Sequence, residues 1–188
     1  MTPPRIAAQP SLRRLRILAC ADPTLPLQGR VTTAAARVLD IGTGSGVLAI
    51  AAARALRQPV LASDIDARAV QIARANARIN HVGAFVQVAH AAGLAARRFR
   101  ERAPFTLVFA NILLEPLERL ATPMARLVGP GGRVVLSGLL AAQASAALAA
   151  YRSRGLTLER RIPLEGWVTL VLRRPGRPAA VAAQPLSP

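Results

Sequence analysis

From residue 38 onward the chain alternates between two apolar rhythms, short strand-like runs and longer stretches with helical periodicity. The short runs predict strands near 37–41, 59–63, 84–88, 105–110, 132–137, 156–162 and 166–173. Helices are predicted near 45–57, 66–80, 115–127 and 142–154. Strand followed by helix, repeated, argues for a parallel sheet covered on both faces. The last two strands are separated only by Pro163-Leu164-Glu165-Gly166, too short for a crossover helix, so they must form an antiparallel hairpin at the sheet edge. The expected fold class is therefore α/β, a Rossmann-like doubly wound seven-stranded sheet, mostly parallel with a C-terminal antiparallel hairpin. Residues 1–36 are rich in Pro and Arg with no clear period and read as an irregular, partly disordered extension. Residues 37–174 form the domain, and 175–188 read as a disordered tail.

The first strand ends abruptly. Residues 38–46, Val-Leu-Asp-Ile-Gly-Thr-Gly-Ser-Gly, run from an apolar strand through an acid into three glycines and then an Ala/Leu-rich helix. Glycines at 42, 44 and 46 let the chain turn sharply and let a ligand approach the backbone, while the helix start offers unpaired N–H groups to an anionic moiety. The second strand delivers Asp64, 22 residues after Gly42. A ribose-binding acid is expected about 20 residues after such a loop. That spacing separates a cofactor cradle from an ordinary strand-to-helix turn. A dinucleotide loop would carry its third glycine at position 47, where this chain has Val47. Gly42-x-Gly44-x-Gly46 instead resembles motif I of class I S-adenosylmethionine-dependent methyltransferases, whose cofactor has a ribose with two hydroxyls that one carboxylate can accept from together.

Composition narrows the picture further. A length of 188 residues supports one domain. The formal charge of +16 is a weak vote for proximity to RNA or the ribosome, weakened because every basic residue is Arg in an Ala- and Pro-rich chain. Cys20 stands alone, which removes any intrachain disulfide and fits the cytoplasm. With His81 and His90 as the only histidines, no zinc site is expected, and His81 reads as a helix-ending or surface residue. The uncharged stretch 134–151 is better split into a strand and an Ala-rich helix than read as a membrane span. The apolar run after Arg13-Arg14 is too short for an export signal.

Three further stretches carry a narrower resemblance. They are Ala62-Ser63-Asp64-Ile65-Asp66 with Ala73-x-x-Asn76-x-x-x-Asn80, Phe105 to Leu113 with Pro116-Leu117, and Pro130-Gly131-Gly132 with Ser137-Gly138-Leu139-Leu140, Gln143 and Gly166-Trp167-Val168. Together they resemble the PrmA group of ribosomal-protein methyltransferases over residues 37–174. The resemblance implies S-adenosylmethionine as cofactor and a protein amine, lysine or N-terminal, as methyl acceptor. It implies a cofactor set of Asp40, Gly42, Thr43, Gly44, Gly46, Asp64, Ile65 and Asn111. Thr32 and Thr33 join that set as the remnant of a Gly-x-His-Pro-Thr-Thr segment. Asn111, just past the fourth strand, borders the methyl-transfer site as the candidate catalytic residue; its side-chain carbonyl can accept a hydrogen bond from an amine. Glu115 reads as a first-turn helix acid rather than a base.

The chain departs from the group's pattern at four places. About 36 residues precede the first strand, too few for the group's separate N-terminal substrate-recognition domain, so none is expected. The histidine before the threonines is missing, Thr106 replaces the usual Asp of the fourth strand, and His90-Ala91-Ala92 stands where adenine commonly meets an acid. Three other functions stay open: an RNA methyltransferase, a small-molecule methyltransferase, and a degenerate non-catalytic domain. Against the nucleic-acid reading, Ile112-Leu113-Leu114 follows Asn111 without an aromatic ring to stack on a flipped base.

Overall fold

The computed structural model describes residues 36–176, and within them the chain forms one seven-stranded sheet flanked by helices. The strands are β1 (Val38–Ile41), β2 (Val60–Asp64), β3 (Val86–His90), β4 (Phe105–Asn111), β5 (Val128–Leu140), β6 (Thr157–Leu164) and β7 (Trp167–Arg173). The helices are α1 (Val47–Leu56), α2 (Ala67–Ile79), α3 (Arg97–Arg102), α4 (Leu114–Leu127) and α5 (Ala144–Arg152), with a 3-10 turn at Ala141–Gln143. Strand order is β3-β2-β1-β4-β5-β7-β6. The first five strands pair in parallel, and β7 pairs antiparallel with both β5 and β6, as expected of the short link, which is only Glu165-Gly166 because Pro163 and Leu164 still pair within β6.

The parallel strands are buried on both sides because successive side chains feed two different cores. Leu39, Leu61, Val108 and Ala110 face one apolar cluster, which α4 completes with Leu117, Ala121 and Met124. Val38, Val60, Ala62 and Phe109 face the other, completed by Ala49, Ile50 and Ala53 of α1 and Val70, Ala73 and Ala77 of α2. Fully burying one such Leu or Val stabilises the fold by about 1.5–3 kcal/mol. Tyr151 of α5 is buried in the first cluster and donates its hydroxyl to the Leu117 carbonyl at 3.0 Å, which lets a polar group sit there. Burial pushes the phenol's pKa well above its ordinary value.

Several boundaries differ from the pattern reading, and one helix is additional. Helix α1 starts at Val47, not Ser45, because Gly46 adopts a left-handed conformation (φ 84°) at the N-cap. Strand β3 lies two residues later, since Ala84 and Phe85 belong to the turn that leaves α2. Strand β5 reaches from 128 to 140: Val128 pairs with Phe105, and the register then shifts across Pro130-Gly131 to Arg133 opposite Leu107. The short helix α3 was not expected; Phe99 is its one buried residue, so it shows no apolar period. Residues 1–35, which include Cys20, Thr32 and Thr33, and residues 177–188 lie outside the described part. No described helix is long and apolar enough to cross a membrane.

Candidate active site

Strand order reverses between β1 and β4, whose helices α1 and α4 lie on opposite faces, so a crevice opens at the carboxyl ends of these two strands. Open α/β sheets bind ligands at that switch point. The glycine loop occupies one side. Gly42, Gly44 and Gly46 all have positive φ, at 66°, 55° and 84°, so the sharp turn needs all three. Their spatial reasons differ, which corrects the idea that each clears room for a ligand. A Cβ on Gly42 would lie 2.3 Å from Cγ2 of Ile112, and one on Gly46 would lie 3.2 Å from the Cβ of Ala73. Only at Gly44 is the space open within 4 Å.

The loop is held by carboxylates. Asp40 is fully buried, and its Oδ2 accepts from Thr43 Oγ1 at 2.6 Å and from the Ala49 N–H at 3.1 Å. One of the helix-start donors expected to face an anionic ligand is therefore taken by the protein itself, because Asp40 points to the α1 face like Val38. Asp40 acts on the loop from beneath, and Thr43, 8% exposed, lies between it and solvent. Its Oδ1 has no partner, and burial raises its pKa to about 6. Asn76 of α2 donates to the Ser45 carbonyl at 2.8 Å, and Thr43 N–H donates to Ser63 at 2.9 Å, tying the loop to α2 and β2.

Asp64 faces this loop from the neighbouring strand. Its Oδ2 accepts from the Gly44 N–H at 2.8 Å and its Oδ1 from the Asp66 N–H at 3.0 Å. Each oxygen keeps a further lone pair, and the side chain is half-buried, so two hydroxyls can still be received. Ile65 beside it is 70% exposed. His90 ties its Nε2 to the Ile65 carbonyl at 2.8 Å, bracing the turn after β2. The residue standing in for an adenine-binding acid thus shapes the turn that follows Asp64.

Asn111 closes the other side of the crevice. It ends β4, is half-buried, and its side chain makes no hydrogen bond with any described residue. Its Oδ1 lies so near Gly138 that a Cβ there would sit 2.5 Å away. Leu113, two residues on, is 75% exposed. Glu115 occupies the first turn of α4 and pairs with Arg119 on the exposed helix face, as expected of a helix acid. His81 sits exposed in the turn that ends α2, with a positive φ of 58°. Thr106 lies far from the crevice, at the start of β4, where its hydroxyl accepts from the Arg37 N–H at 3.1 Å. Its replacement of an Asp therefore leaves the crevice untouched. A separate cavity of about 440 Å³ lies at the opposite, amino-terminal edge of the sheet, lined by Arg37, Gln58, Pro59 and Phe105 among others. Among the described residues no group of acids, His or Cys could hold a metal.

The crevice offers a diol acceptor at Asp64, an open backbone at Gly44 and, among the described residues, an unpaired amide at Asn111, while the buried Asp40 carboxylate supports the loop from behind. That donor and acceptor set fits a nucleoside carrying an amino-acid chain. The structure brings Gly44, Asp64 and Asn111, three of the residues singled out from the sequence, to the carboxyl ends of β1, β2 and β4; it adds Asn76, Ile112 and Gly138, which contact Ser45, Gly42 and Asn111 and were given no role there. Asn76 and Gly138 stood in conspicuous sequence patterns, but nothing in the order of residues says what a side chain will touch.

A family model described as ribosomal protein L11 methyltransferase (PrmA) matches residues 24–175. A ribosomal protein L11 methyltransferase from Bradyrhizobium diazoefficiens is 58% identical over 139 residues, 74% of this chain and 47% of that protein. The chain thus spans about half the length of the curated relatives it matches. Among solved structures, a ribosomal protein L11 methylase from Lactobacillus delbrueckii subsp. bulgaricus superposes with a TM-score of 0.70 at 28% identity, covering 79% of this chain and 74% of that one. An RNA methyltransferase from Salinibacter ruber in complex with S-adenosyl-L-homocysteine has a TM-score of 0.64 at 21% identity, covering 95% of this chain and 99% of that one, a likeness of fold alone.

Proposed function

This chain belongs to the PrmA family of ribosomal protein L11 methyltransferases, and from that premise we propose that it binds S-adenosylmethionine and methylates an amine of a ribosomal protein in the cytoplasm. When bound, the cofactor supplies an electrophilic methyl group on a sulfonium. The chain's own residues do the rest. Asp64 receives the ribose hydroxyls on the lone pairs that Gly44 and Asp66 leave free. Gly44 gives the cofactor access to backbone, and Ile65 offers an exposed apolar surface beside the sugar. Buried Asp40 keeps the loop in its turned shape through Thr43 and Ala49. Thr32 and Thr33 are assigned to the methionine end by family pattern.

A lysine amine must arrive neutral, having lost a proton from a group with pKa about 10.4. Glu115 is engaged with Arg119, so the reading assigns no dedicated base. Asn111 accepts a hydrogen bond from the neutral amine and so aims its lone pair along the line of displacement, a contribution of positioning. The observation that carries this reading is the meeting, at one switch point, of Gly44, Asp64 and an Asn111 whose side chain bonds no described residue. The nucleic-acid alternative has no comparable feature, since Ile112-Leu113-Leu114 follows Asn111 without a ring to stack on a flipped base.

Calorimetry with S-adenosylmethionine tests the first step. Binding is expected, with Asp64→Ala weakening it about 100-fold through loss of two charge-assisted hydrogen bonds. Equal affinity in parent and variant refutes the cradle. Incubation with labelled cofactor and a ribosomal protein fraction tests the second, and label appearing in RNA instead would reassign the acceptor.

A further inference from the structure

Strand β5 is irregular where it passes Asn111. Asn111 pairs with Ser137 across the parallel β4–β5 ladder, but on its other side β5 loses register with β7 between Leu136 and Leu139. Ser137 and Gly138 therefore form a bulge, and Gly138 takes a φ of 79° that L side chains rarely adopt. Bulges recur beside functional sites because they re-aim side chains. Here the bulge presents the bare Cα of Gly138 to Oδ1 of Asn111, so that a Cβ would stand 2.5 Å from that oxygen and 3.7 Å from the amide carbon. No backbone atom comes that near, the Ile112 carbonyl being 3.5 Å away. The atom that must yield to any side chain at 138 is thus the working end of Asn111.

Asn111 has no hydrogen bond with a described residue to hold its amide, so contact and packing set its direction. We propose that Gly138 is a positioning residue for methyl transfer, its missing side chain providing the seat in which the Asn111 carbonyl oxygen is held toward the acceptor. This rests on the assignment of Asn111 to the reacting centre. A misplacement of about 1 Å in such a group costs on the order of 100-fold in rate.

The test is a double-mutant cycle with labelled S-adenosylmethionine and unmethylated ribosomal protein L11, comparing the parent, Gly138→Ala, Asn111→Ala and the double variant. Gly138→Ala is expected to lower kcat about 100-fold and to leave cofactor affinity within about twofold of the parent. The double variant is expected to be no slower than Asn111→Ala, because the contact by which a Cβ at 138 would displace the amide exists only where Asn111 is present. Losses that multiply overturn the positioning role alone. A parental rate in Asn111→Ala overturns the assignment of Asn111 and the positioning role with it. A second arm needs no turnover: the side-chain amide resonances of Asn111, identified by their disappearance in Asn111→Ala, are expected to move in folded Gly138→Ala. Resonances that stay in place overturn the proposal.

Discussion

The two sides of the crevice solve opposite problems. On the β1 side, the described polar groups of the glycine loop are largely paired before any ligand arrives: Gly44 with Asp64, Ser45 with Asn76, Thr43 and Ala49 with Asp40. On the β4 side, Asn111 makes no side-chain hydrogen bond with a described residue and lies against a bare glycine in a bulge. The difference separates binding from reacting. A cradle that must recognise a fixed cofactor gains from rigidity, since little is then lost in ordering it. A group that must meet an incoming amine gains from having no bond to surrender, because a prior partner would have to be displaced in the step that matters.

The comparison breaks first at Gly42. If the loop is a packed, pre-paired structure, Gly42→Ala meets both a strained φ and the Ile112 side chain, and should cost about 4 kcal/mol of stability in chemical denaturation. Gly44→Ala, at similar φ but with open space, should cost only about 1 kcal/mol. Equal losses at the two positions mean that the turn alone, and not packing against Ile112, dictates the glycines.

Next in size is Asp40. Burial raises its pKa from 3.8 to about 6, so the folded state holds this proton more tightly than the unfolded chain does. Its stabilising contribution is therefore present below pH 3.8 and lost as pH rises through about 6, by on the order of 3 kcal/mol. Asp40→Asn, which cannot ionise, removes this dependence. The gap in stability between parent and variant should move toward the variant from pH 4 to pH 7, and a gap that stays level over that range removes the case for a desolvated charge.

Much of this arrangement is legible in the order of residues. Alternating periods revealed every strand, because parallel strands must be apolar on both faces and their crossovers must be helices. Spacing revealed Asp64, and family pattern picked out Asn111. What stayed hidden depends on contacts between distant residues. Helix α3 has one buried residue and so no period to detect. The reach of β5 back to Val128 arises from a pairing with Phe105 across a proline-glycine break that reads locally as a turn. Gly42 and Gly46 looked like ligand-facing positions because a glycine is silent about which neighbour requires it; Ile112 and Ala73 answer that only in three dimensions. Asp40 looked like a ligand-facing acid for the same reason.

The smallest expected effects sharpen the comparison most. Asn76→Ala removes the amide that holds the Ser45 carbonyl and should cost about 1–2 kcal/mol of stability, with a matching loss of cofactor affinity as the loop loosens. Asn111→Ala removes an amide with no described partner, so its stability should change by less than about 0.5 kcal/mol, while kcat falls. The pair of asparagines therefore predicts a crossed pattern in thermal melts and steady-state kinetics. Position 76 moves stability and binding with little further loss at saturating cofactor, and position 111 moves turnover without moving the melt. An Asn111→Ala that destabilises as much as Asn76→Ala would mean that Asn111 is bonded into the fold after all, and the contrast between a paired cradle and an unpaired reacting group would disappear.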